Sequence, residues 1–92
     1  MNEKTRETLL ILQEECAEVI QAISKIYRFG EETRWPMEDS ASNGECLAME
    51  VGQVMAMFDI LIESGYLSDE AVNAARIYKK EKLKIWSKIY AD

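Results

Sequence analysis

The chain has 92 residues, 48% of them apolar, with a single proline and four glycines. A chain of this length buries only about 60–65% of its unfolded surface, so it builds one small core in a single domain over 1–92. The scarcity of turn residues excludes a many-turned β fold in favour of a nearly all-α one. Seventeen acidic against eleven basic residues give a net charge of −6, which excludes general affinity for nucleic acid or for an anionic membrane surface.

Leu9, Leu12, Cys16, Val19, Ile23 and Ile26 recur at alternating spacings of three and four. They predict an amphipathic first helix from about Thr5 to Phe29, with Gly30 placed to end it. The stretch from Gly30 to Gly44, GEETRWPMEDSASNG, is polar, lacks periodicity and holds the one proline. It reads as an irregular connection, of a length that commonly serves function. Ser42 followed by Glu45 has capping-box spacing, so a second helix starts there and runs to about Ser64, where Gly65 supplies a left-handed cap. Ser68 caps a third helix, with Asp69 and Glu70 in its first turn, that is expected to run almost to the C-terminus. Cys16 and Cys46 fall within helical patterns and read as small core residues. With no histidine in the sequence, a zinc site of the usual Cys/His kind is excluded. No apolar run is long enough to cross a bilayer and no leader or lipidation signal is visible, so the expected location is the cytoplasm.

Charge placement carries the functional information. On a helical wheel the polar residues Glu45, Asp59 and Glu63 of the second helix, with Gly52, share one strip. Glu50 and Gln53 lie on the other side, among Cys46, Val54, Met57 and Leu61. An unpaired carboxylate there costs several kcal/mol in desolvation, so something positive is expected to meet Glu50. On the first helix Glu14, Glu18, Gln21, Lys25 and Arg28 form a polar stripe, with Glu15 at its edge beside Ile11, Ala22 and Ile26. Apolar flanks on both sides of that stripe call for cover from more than one direction, hence a dimer or larger assembly. On the third helix Lys79 and Lys82 project from the face that carries Val72, Ala75, Tyr78, Leu83, Trp86 and Tyr90.

Carboxylates gathered from two helices suit a hard divalent cation such as Mg²⁺ or Mn²⁺, and a cation flanked by lysines suits a polyphosphate. The plain alternatives are a solvated acidic face for Glu14, Glu15 and Glu18, and a buried ion pair of Glu50 with Lys79 or Lys82. Trp35, beside Pro36 in the loop, reads either as a base-stacking residue or as a loop anchor, and Trp86 and Tyr90 as core or interface.

The stretches EECAEVIQAISKIYRFG and EVGQVMAMFDIL together resemble the MazG-like, all-α nucleoside triphosphate pyrophosphohydrolases, especially short bacteriophage-type members, over nearly the whole chain. The family pattern EExxE, a spacer and then ExxD places its four glutamates at Glu14, Glu15, Glu18 and Glu50. The resemblance implies a bundle of three main helices and a long loop, completed as a homodimer or homotetramer. It implies Mg²⁺-dependent splitting of a (d)NTP, with purine deoxynucleotides such as dGTP among the substrates, into (d)NMP and pyrophosphate. Glu15, Glu18, Glu50 and position 53 would hold the metal, and one of Glu14, Glu15 and Glu18 would act on the attacking water. Lys25, Arg28, Lys79, Lys82 and Trp35 would hold the substrate. One position departs from the pattern: the family aspartate is Gln53, whose neutral amide is a poorer Mg²⁺ ligand, and Asp59 lies half a turn from Glu50 and is not placed to replace it. The rival expectation is therefore a nucleotide-binding or interaction protein with weakened catalysis.

Overall fold

The computed structural model describes residues 1–91. It is all-helical: α1 spans Glu3–Phe29, α2 Asn43–Glu63 and α3 Asp69–Trp86. Among the described residues the β structure is limited to one isolated antiparallel bridge, between Arg34 and Ser42. Each helix starts where a short polar side chain takes up an orphan backbone donor. The Asn2 side chain accepts from the Thr5 N–H at 2.8 Å, which sets the start of α1 two residues before the expected one. Ser42 and Glu45 form the full capping box at the head of α2, and Ser68 accepts from the Ala71 N–H at the head of α3. Positive φ at Gly30 (95°) and Gly65 (82°) reverses the chain after α1 and α2, a conformation that costs glycine nothing. The end of α3 falls short of expectation. Ser87 leaves the helix with extended backbone, and its hydroxyl accepts from the Ile89 N–H at 3.2 Å, a local bond that competes with another helical turn.

α1 and α2 pack as an antiparallel hairpin. The connection between them is held at its base: the Asn43 side chain donates to the Gly30 carbonyl at 3.0 Å, and the Gly44 N–H to the Glu31 carbonyl at 2.8 Å. The inward face of α1 is Thr5, Thr8, Leu12, Glu15, Val19, Ala22 and Ile26, all buried or half-buried. It is rotated from the expected seam, with Glu15 and Ala22 inside where Cys16 and Ile23 were anticipated. The alanine gives α2 room for close approach. Cys16 is exposed and Cys46 only half-buried, so neither is the enclosed core residue that the sequence suggested. On α2 the inward face is as expected except at Gln53, which is exposed at its rim: Cys46, Glu50, Val54 and Met57 are half-buried and Leu61 is 1% exposed, while Glu45, Gly52, Asp59 and Glu63 face solvent.

α3 does not join this packing. It has no buried residue, and Ile77, Tyr78, Ile85 and Trp86 are all more than three-fifths exposed. The body measures 43 × 39 × 16 Å with a radius of gyration of 16.4 Å, against about 12 Å for a compact domain of this length. Trp86 and Tyr90 are therefore not core residues of this chain, and Trp35, 81% exposed, anchors nothing in its loop.

Candidate functional site

Where α1 and α2 face each other, Glu15 and Glu50 turn inward and are half-buried. Glu50 is forced there by its neighbours, because any rotation of α2 that exposed it would expose Cys46, Val54, Met57 and Leu61 as well. Gln53, one turn along α2 at the rim, reaches across both carboxylates. With its nitrogen facing them, the amide donates to Glu15 Oε2 at 2.9 Å and to Glu50 Oε2 at 3.2 Å. Directly beside this trio lies a pocket of about 110 Å³, lined from α1 by Glu18, Gln21, Ala22 and Lys25 and from α2 by Asn43, Cys46 and Glu50. One wall thus carries carboxylates and the other end a lysine ammonium, an arrangement able to position a polar, partly anionic ligand.

The remaining anticipated residues sit elsewhere. Glu14 is exposed on α1 and does not line the pocket. Arg28 stacks over the ring of its neighbour Phe29, 5.0 Å from the centroid. Lys79 and Lys82 line a separate groove of about 310 Å³ with Leu83 and Trp86 on α3, and the Lys82 ammonium lies 5.5 Å from the centre of the Tyr78 ring. Among the described residues the ion pairs are Arg34–Glu45 at 3.0 Å and Lys84–Glu81 at 2.9 Å. The alternative of a buried Glu50 pair with Lys79 or Lys82 is therefore not made within the chain, since α3 does not pack on the hairpin. Within the chain, the group that reaches Glu50 is the Gln53 amide.

Two contributors escaped the sequence reading. Asn43 lines the pocket because its side chain is tied to the Gly30 carbonyl, and its position one residue after the capping serine was the available signal. Arg34 clamps the loop to α2: its guanidinium donates to the Ser40 carbonyl at 2.8 Å while pairing with Glu45. The Glu45 carboxyl is held below the usual carboxylate titration range, chiefly by the backbone N–H of Ser42, then by the Ser42 side chain and the Arg34 charge.

The donor set bears on the divalent cation that the resemblance implies. Among the described residues no three or more His, Cys, Asp or Glu side chains are grouped to hold a metal ion. Two carboxylates and one carboxamide converge, hard oxygen donors of the right type for Mg²⁺, but one negative charge short of a three-carboxylate site. The residues fit the ion only when the amide oxygen is the atom turned inward. Among the described residues no helix is long and apolar enough to cross a membrane. No protein-family model matches the chain, and comparison with curated proteins and with solved structures likewise finds no match.

Proposed function

We propose that the α1–α2 pocket is the nucleotide site of an all-α (d)NTP pyrophosphohydrolase, a cytoplasmic enzyme of the MazG-like type that releases (d)NMP and pyrophosphate. The observation that carries the reading is the convergence of Glu15, Glu50 and Gln53 from two helices beside a pocket shared by Glu18 and Lys25. Glu15, Glu50 and the Gln53 amide oxygen would hold Mg²⁺ or Mn²⁺, which when bound supplies charge neutralisation on the phosphate oxygens. Glu18 lines the pocket without being tied to the amide, and acts as the base that orients and accepts a proton from water attacking the α-phosphorus. Lys25 at the other end of the pocket takes up phosphate charge. Lys79 and Lys82 lie on a helix remote from the pocket, so they contact phosphates by reaching the pocket of a second copy. The exposed apolar face of α3 supports such a homodimer or homotetramer.

The test is pyrophosphate release from each (d)NTP, purine deoxynucleotides such as dGTP first, with Mg²⁺ or Mn²⁺. Glu50→Gln and Glu18→Gln are each expected to lower kcat at least 100-fold with the fold unchanged by circular dichroism. Turnover that survives Glu18→Gln overturns the role of that residue, and absence of product from every nucleotide overturns the reading. One feature favours a second reading, a nucleotide-binding protein with weakened catalysis: the neutral Gln53 amide, which with its nitrogen inward donates to both Glu15 and Glu50, is a poorer Mg²⁺ ligand than a carboxylate. Nucleotide affinity measured by calorimetry without any pyrophosphate release selects it.

A further inference from the structure

Gln53 poses a question of charge. Two carboxylates on facing helices, both half-buried, are brought to within hydrogen-bonding distance of a single side-chain end, 2.9 Å for Glu15 and 3.2 Å for Glu50. Two negative groups sharing one small space repel, and burial makes the repulsion worse. Proteins resolve this by protonating one group, by adding a cation, or by inserting a donor between them. No lysine or arginine pairs with either glutamate among the described residues. The amide NH₂ has two protons, and with the nitrogen turned inward it gives one to each carboxylate. Turned the other way, the amide oxygen would join the two carboxylate oxygens, three acceptors with no proton among them, an arrangement that only a cation reconciles.

We propose that the Gln53 carboxamide is a latch that takes the place of a divalent cation between Glu15 and Glu50, keeping the pair assembled in metal-free protein. A divalent ion entering the site must turn the amide so that its oxygen faces inward. Gln53 is thus a positioning residue, which exchanges the affinity a third carboxylate would give for a site that is already organised without metal. An aspartate or glutamate at the same position would tie the geometry of the pair, and the packing of α1 on α2 around it, to occupancy by a cation. In naming the ion the proposal rests on the function proposed above; in assigning the amide its role it rests on the geometry alone.

The decisive experiment is thermal unfolding of the native protein, of Gln53→Glu, and of Gln53→Glu combined with Glu15→Gln, each in EDTA and in millimolar Mg²⁺. Gln and Glu match in shape and in helix propensity, so the single change adds charge and little else. The native Tm is expected to move little between the two conditions. Gln53→Glu is expected to lose roughly 4–8 °C in EDTA and to recover with Mg²⁺. The double variant restores two carboxylates and one amide, and should recover in EDTA alone. Should the single variant fail to fold without metal, the double variant, folded in EDTA, carries the same comparison. The latch is overturned if Gln53→Glu melts with the native protein in EDTA, if Glu15→Gln brings no recovery, or if Mg²⁺ leaves Gln53→Glu destabilised. Pyrophosphate release on the same proteins separates the two ideas: full rescue with no product from any nucleotide keeps the latch and removes the hydrolase.

Discussion

The α1–α2 hairpin and α3 are built from similar material, amphipathic helices capped by Asn2, Ser42 and Ser68 at their heads, yet only the hairpin encloses anything. α2 directs Glu50 and Leu61 inward against α1, whereas α3 offers Tyr78, Ile85 and Trp86 to open space. Local rules of capping and periodicity suffice to make a helix but not to give its apolar face a neighbour. The comparison implies that the hairpin carries the packing within one chain, while α3 leaves its apolar face exposed.

The largest effect is expected from Leu61→Ala. Among the described residues Leu61 is the one large side chain that is fully buried, and its truncation should cost about 2–5 kcal/mol in urea unfolding; a much smaller loss would mean that the hairpin is not where stability lies. Next comes Ile85→Lys on α3, which places a charge on the exposed apolar face. Sedimentation equilibrium should show at least a ten-fold weaker self-association, about 1.4 kcal/mol, with helix content retained. A native protein that is monomeric at high concentration would break the contrast between the two regions. Smaller again is Ser42→Ala, which removes the cap at the head of α2 and should cost about 1 kcal/mol. The smallest effect belongs to Glu45. Its carboxyl titrates below the ordinary glutamate range, so the stability it contributes is complete above that range and disappears as pH falls through the lowered value. Glu45→Gln should flatten that acidic stretch of the stability profile while leaving the neutral and basic side unchanged.

The helices and their caps were legible because capping residues act within three or four positions of themselves. The inward turn of Glu50 was legible too, since Cys46, Val54, Met57 and Leu61 surround it on the wheel and leave it no other direction. α1 defeated the same method because it has two apolar faces. Cys16, Ile20, Ile23 and Tyr27 lie roughly a quarter turn, at ~100° per residue, from the face that α2 covers, and they remain exposed. Periodicity identifies both faces and cannot rank them. The small Ala22 that permits close approach is a tertiary fact, and so is the inward placement of Glu15 that follows. Lys79 and Lys82 share a groove with Leu83 and Trp86 on α3, but α3 does not pack on the hairpin face that holds Glu50, so no wheel could connect them to it. The span of Gln53 across two carboxylates depends on the register of one helix against another, which spacing within either helix does not encode.

A body 16 Å through its shortest dimension has almost no depth, given that one helix with its side chains is about 10 Å across. Whatever is sheltered from water on one side lies a single helix away from water on the other. Engineering for hardiness by refilling voids would therefore find little to fill. Gains would have to come from the broad faces of the slab, where each improvement would also redraw the boundary this chain presents to its neighbours.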